Sequence, residues 1–181
     1  LGCNLYKINP NGTLTNLPSA FSTACPYNAT AVMELSNNGY LAISSGTSSA
    51  VINLWKQAGD SFIALPSLTH SSASVAGLSF SLDAKLFAVR STGASTSRIY
   101  KRKGDSFSAA AADITQPPNI FSANTSPKAL NFSPNGKYLL SLEWDSTVST
   151  DYLNNWRVLG GQLVSFVQLQ GFLPYIGSSV N

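Results

Sequence analysis

The sequence predicts an all-β protein: a β-propeller-like array of four-stranded antiparallel blades, about three full blades plus a half-blade. Two alternating cassettes and a strand count predict it. The first cassette sets an aromatic residue directly before a cation, in Leu5-Tyr6-Lys7-Ile8, Leu54-Trp55-Lys56, Ile99-Tyr100-Lys101-Arg102 and Asn155-Trp156-Arg157-Val158. A glycine turn follows each time: Asn11-Gly12, Gly59-Asp60, Gly104-Asp105 and Gly160-Gly161. An apolar residue then opens another strand, namely Leu14, Phe62, Phe107 and Leu163. From aromatic to that residue the spacing is 7 in the last three copies and 8 in the first. Spacing this regular identifies one supersecondary unit used repeatedly.

The second cassette falls between copies of the first. Leu35-Ser36-Asn37-Asn38-Gly39-Tyr40-Leu41-Ala42-Ile43 lines up with Phe80-Ser81-Leu82-Asp83-Ala84-Lys85-Leu86-Phe87 and with Phe132-Ser133-Pro134-Asn135-Gly136-Lys137-Tyr138-Leu139-Leu140. The third copy shows the chemistry most plainly. Pro134 fixes φ at the first turn position, and Asn135-Gly136 accepts the positive φ of a tight hairpin.

Together the cassettes spell strand, hairpin, strand, linker, aromatic-cation strand, glycine hairpin, strand. In chain order, residues 1–18 form a half-blade, and full blades cover about 30–66, 75–110 and 128–169. A C-terminal strand or tail occupies 171–181, and the whole of 1–181 reads as one domain. The stretches 66–74, 109–127 and 143–154, rich in Ser, Thr, Ala, Asn and Pro, read as rim loops. Three and a half blades fall short of the ~4–8 that close a propeller. The array is therefore expected to be a fragment, to borrow strands, or to be completed by a second copy.

The run Phe132–Leu140, followed by the Tyr/Trp-Lys-x-x-Gly-Asp-x-Phe cassette, resembles the WD40-like propeller repeats of bacterial and phage proteins. The resemblance spans residues 30 to 170. It departs from true WD40 repeats in having no Gly-His pair and no Trp-Asp strand end, Trp144-Asp145 being read as loop. The resemblance implies a virion structural protein, a capsid decoration or tail component, acting without catalysis in an extracellular assembly. The alternative it leaves is a secreted or envelope-anchored bacterial propeller that binds protein or glycan. A third reading is a glycan-processing enzyme.

Composition fits an all-β exterior protein. Charged residues make up 10% of the chain, and the net charge is +3. No apolar run of about 18 residues exists to span a bilayer as a helix. The one dense basic stretch, Arg98 to Lys103, is assigned to sheet edges, where cations discourage unwanted pairing, so nucleic acid is not expected as a partner. Expected partners are other protein subunits, in a homo-oligomer or with a strand-sharing neighbour, and a cell-surface glycan.

Candidate residues fall into three groups. Tyr6, Trp55, Tyr100, Trp156, Phe62, Phe107, Gly59, Gly104 and Gly136 are the structural repeat positions. Trp144, Asp145, Asp151 and Tyr152 form a possible interaction loop, aromatic and acidic together as sugar sites require. Cys3 and Cys25 permit one disulfide or remain two free thiols. Glu143, Asp145 and Asp151 are expected to be solvent-exposed. His70, between Ser67 and Ser74, is expected to be a solvated loop residue. A lone histidine builds no zinc site, and no Gly-x-Ser-x-Gly elbow is present. No catalytic, cofactor-binding or metal-binding residue is therefore assigned.

Overall fold

The computed structural model describes residues 5–17, 32–44, 51–70, 75–91, 96–109, 114–115, 125–145, 149–159 and 162–171. The first hairpin joins β1 (Leu5–Ile8) to β2 (Leu14–Leu17). Blade 1 comprises β3 (Met33–Leu35), β4 (Tyr40–Ser44), β5 (Val51–Ala58) and β6 (Ser61–Thr69). Blade 2 comprises β7 (Val75–Phe80), β8 (Leu86–Ser91), β9 (Thr96–Lys103) and β10 (Ser106–Ala109), with β11 (Ile114–Thr115) also pairing β9. Blade 3 comprises β12 (Thr125–Phe132), β13 (Tyr138–Asp145), β14 (Thr150–Leu159) and β15 (Gln162–Gly171). Each blade is an antiparallel meander in chain order.

The serine of the second cassette explains its turn. The backbone N–H groups of Tyr40, Leu86 and Tyr138 donate to the hydroxyls of Ser36, Ser81 and Ser133, at 2.8, 3.0 and 3.0 Å. The side chains of Asp83 and Asn135 accept from the N–H of Lys85 and Lys137, closing the turn from inside. Where the other copies have Gly39 and Gly136 at positive φ, the second has Ala84 at φ 50°.

Trp55, Tyr100 and Trp156 lie on the third strands β5, β9 and β14 and are buried. Opposite them stand Leu41, Phe87 and Leu139 on the second strands. The following residues Lys56, Lys101 and Arg157 oppose Tyr40, Leu86 and Tyr138. Phe62 and Phe107 are buried on the fourth strands, while Tyr6 in the first hairpin is half exposed. Gly59, Gly104 and Gly136 hold positive φ in their turns.

The core sits between blades. Tyr40, Ala42, Ile52 and Leu54 of blade 1 pack against Val75, Leu78, Phe80, Phe87, Val89, Tyr100 and Phe107 of blade 2. Within it Phe80 and Phe87 stack at 4.4 Å, and Phe107 meets Tyr40 edge-on at 5.6 Å. Between blades 2 and 3 the layer is smaller: Ala88 and Ile99 meet Leu130, Leu139, Trp156 and Val158. Here the first strands approach so closely that a Cβ added at Gly77 would lie 2.8 Å from the Leu130 Cβ.

Three expected loops shorten. β6 extends to Thr69, β12 begins at Thr125, and β13 and β14 absorb most of 143–154. The expected interaction loop is therefore a strand ladder, with Glu143 opposite Tyr152, Trp144 opposite Asp151 and Asp145 opposite Thr150. Polar residues gave this stretch a loop's composition. Its backbone hydrogen bonds are instead made across the sheet, which half-buries Trp144, Asp151 and Tyr152. Cys3 and Cys25 lie outside the described residues.

Candidate active site

Strand parity brings one cation and one acid together in the interior. On β8, Leu86, Ala88 and Arg90 share the face toward blade 3, and on β13, Leu139, Ser141 and Glu143 share the face toward blade 2. Arg90 Nη2 donates to Glu143 Oε2 at 2.9 Å, with the two side chains 1% and 0% exposed. The other carboxylate oxygen, Oε1, accepts from the Ser141 hydroxyl at 3.2 Å. Ser141 Oγ in turn accepts from Asn154 Nδ2 at 3.3 Å. Arg90 stands one residue before the end of β8 and Glu143 two before the end of β13, so the pair lies toward the strand ends, not mid-sheet.

The electrostatics follow from burial. Loss of solvent pushes the Glu143 carboxyl up to about 7, although the Arg90 charge and the Ser141 and Arg90 hydrogen bonds pull the other way. Desolvation likewise lowers the Arg90 guanidinium, against the pull of Glu143. A carboxyl raised by burial beside a guanidinium is the kind of perturbed group by which candidate functional sites are recognised.

Two expectations fail here. Glu143 is not exposed: it faces blade 2 because the alternation set by Leu139 and Ser141 carries it inward. His70 is not solvated. It is 1% exposed at the end of β6, with Nδ1 3.4 Å from the Tyr100 hydroxyl of the next blade. Asp151 is half-buried, and Asp145 belongs to β13. The sequence held one signal that would have located the pair. Aligning Phe87 with Leu139 by their aromatic partners puts Arg90 and Glu143 on opposite faces, one turned to the next blade and one to the previous.

At the opposite end of the blades, the turns of the second cassette border a groove of about 760 Å³. Asn38, Asp83, Lys85, Lys101, Arg102 and Asn135 line it. Its polar groups are largely committed. Arg102 donates to the carbonyls of Ala84 and Gly104, and Lys85 pairs with Asp83 at 3.2 Å. Burial raises the Asp83 carboxyl, but the Lys85 N–H and the Ser81 hydroxyl outweigh it and hold the group below its ordinary value. Among the described residues no three His, Cys, Asp or Glu side chains converge as metal ligands. No described helix is long and apolar enough to cross a membrane.

No protein-family model and no curated protein matches the chain. Solved structures do. A protein from Lactobacillus plantarum aligns with a TM-score of 0.69 at 17% identity, over 93% of this chain and 50% of its own. A protein from Bacteroides uniformis provisionally named 6-phosphogluconolactonase aligns with a TM-score of 0.67 at 15% identity, over 91% and 51%. A Bacteroides fragilis protein with the same provisional name gives 0.61 at 13%, over 92% and 51%. The chain thus spans about half the length of the structures it matches. These neighbours overturn the expectation of a non-enzymatic phage virion module. None of the three is named as a virion protein, and two carry an enzyme's name. At these identities the likeness shows the fold alone: this chain is an all-β, β-propeller-like array of four-stranded blades.

Proposed function

We propose that this chain is part of a propeller hydrolase that opens a cyclic ester of the sugar-lactone class, with Glu143 as the general base and Arg90 as the positive charge at the reacting carbonyl. The observation that carries the reading is the Arg90–Glu143 pair, buried together with the carboxyl held near neutrality. The provisional name 6-phosphogluconolactonase, borne by two structures of this fold, supplies the substrate class.

The chemistry runs as an ester hydrolysis. Glu143 removes a proton from water as its oxygen bonds to the lactone carbonyl carbon, and Arg90 stabilises the oxyanion that forms. The tetrahedral intermediate collapses with cleavage of the ring C–O bond. The proton held on Glu143 passes to the departing ring oxygen, leaving the open hydroxy acid. Ser141 and Asn154 hold the carboxyl in one orientation throughout.

Hydrolysis of 6-phosphogluconolactone, followed by acid release, tests the reading. Glu143→Gln keeps the shape and removes the base, so kcat is expected to fall by roughly 10²–10⁴. Arg90→Lys is expected to cost roughly 10²–10³. Wild-type protein inert toward both phosphorylated and unphosphorylated sugar lactones, or Glu143→Gln with undiminished kcat, would sink the assignment.

A further inference from the structure

Two junctions of the repeat are closed by a carboxylate. Between blades 1 and 2, Lys56 Nζ and the Tyr40 hydroxyl both donate to Asp105 Oδ1, at 2.8 and 2.7 Å, forming a three-residue clamp. Asp105 is the second residue of the turn between β9 and β10. One junction earlier, Lys7 of the first hairpin reaches Asp60, the corresponding residue of the turn between β5 and β6, at 2.8 Å. In both, the cation that follows the cassette's aromatic receives an acid from the next turn.

At the junction of blades 2 and 3 the cation remains and the acid is gone. Lys101 follows Tyr100 on β9, and strand parity turns it, with Ile99, toward blade 3. The corresponding turn reads Gly160-Gly161, so glycine stands where the earlier copies have Asp60 and Asp105. Among the described residues Lys101 enters no ion pair, and it is half-buried. A half-buried cation with no carboxylate against it is open to an added anion.

Lys101 borders the groove of about 760 Å³ at the turn end of the blades, which blade 1 bounds at Asn38 and blade 3 at Pro134 and Asn135. Its charged lining is three cations, Lys85, Lys101 and Arg102, against one acid, Asp83, a surplus of two positive charges. Arg102 uses Nε and Nη1 on the Ala84 and Gly104 carbonyls and the Tyr40 hydroxyl, and none of these bonds involves Nη2. Asn135 Oδ1 accepts from the Lys137 N–H and the Ser133 hydroxyl, so the amide nitrogen remains a donor. The groups left over on these side chains, Lys101 Nζ, Arg102 Nη2 and Asn135 Nδ2, are all donors. Leu82, Leu86 and Pro134 add an apolar wall. The volume falls within the ~300–1,000 Å³ of small-molecule sites.

We propose that this groove binds a small organic phosphate monoester, its phosphate taking beside Lys101 the place that turn carboxylates take beside Lys7 and Lys56. A dianion answers the surplus of two charges, where a carboxylate would answer one. Lysine meets phosphate as a point charge, and a planar guanidinium adds directed donors. The apolar wall receives the organic part. The groove lies at the end where β8 begins, at Leu86, whereas Arg90 and Glu143 lie toward the other ends of their strands. The site therefore stands apart from the buried pair and does not rest on the hydrolase reading.

Calorimetric titration of the full chain with glucose 6-phosphate tests the proposal, with inorganic phosphate and gluconate as controls. Glucose 6-phosphate is expected to bind, and both controls to bind roughly tenfold more weakly. Lys101→Gln is expected to weaken glucose 6-phosphate roughly tenfold. Gly161→Asp, which returns the repeat's own acid to the turn, is expected to do the same, and Gly161→Asn to leave the affinity unchanged. The proposal is overturned if glucose 6-phosphate does not bind, or if either control matches it. It is overturned equally if Lys101→Gln or Gly161→Asp binds as wild type does. Loss of binding in Glu143→Gln but not in Lys101→Gln would also overturn it, since the ligand would then sit at the buried pair.

Discussion

The two interfaces between blades place their ion pairs at opposite ends of the strands and at different depths. Between blades 1 and 2 the interior is aromatic and the charges stand at the turn end, where Lys56, Tyr40 and Asp105 meet beside solvent. Between blades 2 and 3 the turn end keeps a cation, Lys101, now opposite Leu86, and an ion pair, Arg90–Glu143, lies inside at the other end of the strands. A salt bridge half in water contributes little to stability. One buried between sheets must recover a large desolvation penalty, so its presence is weak evidence for a stabilising role. The contrast sets a cohesive ion pair at the rim of one interface against a sealed pair inside the other, to which the proposed chemistry is assigned.

The largest effect expected from breaking this contrast is at the buried pair. Arg90→Ala leaves Glu143 in the interior without its counter-charge and should cost about 3–5 kcal/mol in urea unfolding. Arg90→Met combined with Glu143→Leu should return stability to within about 1 kcal/mol of wild type while abolishing the lactone hydrolysis proposed above. A double variant as unstable as the single one would place the pair in the cohesive class with Lys56 and Asp105.

A smaller, graded effect is expected from pH. Folded, Glu143 keeps its proton up to about pH 7; unfolded, it releases it near the ordinary value of 4.5. Between those values the folded state holds the extra proton, so raising the pH draws the equilibrium toward the unfolded chain. The stability contributed by this group should therefore fall from about pH 4.5 to about pH 7 and stay level above. Unfolding midpoints measured across that window should show the decline in wild type and lose it in Glu143→Gln.

The smallest effect belongs to the exposed clamp. Asp105→Asn should lower Tm by less than about 3 °C, and that loss should shrink at high salt, where exposed charges are screened. A larger, salt-independent loss would mean that Tyr40, not Lys56, carries the contact. The Tyr40 hydroxyl also receives Arg102 Nη1 at 3.1 Å, and the Arg102 guanidinium lies 4.8 Å from the centre of its ring.

The fold was legible because its signals are local. A serine that accepts the N–H four or five residues on, a residue able to hold positive φ and an aromatic before a cation can each be read within ten residues. The site was not legible for the same reason. Arg90 and Glu143 are 53 residues apart and meet only through the parity of two strands in different blades. Glu143 was further disguised by Trp144, Asp145 and the Ser/Thr residues after them, which gave a strand end the composition of a loop. His70 was misread likewise, its serine neighbours suggesting water where the blade contact places Tyr100.

The direction of the clamp has a consequence for assembly. Lys7 reaches forward to Asp60 and Lys56 forward to Asp105, so each sheet offers different groups at its front and its back. Contacts of this head-to-tail kind have no two-fold axis to stop them. Repeated, they close into a ring when the rotation per step divides a full circle, and wind into an open filament when it does not. Neighbouring first strands come close where Gly77 meets Leu130. One methyl group there would act as a wedge, and the number of sheets per revolution would follow from how far it pushed them apart.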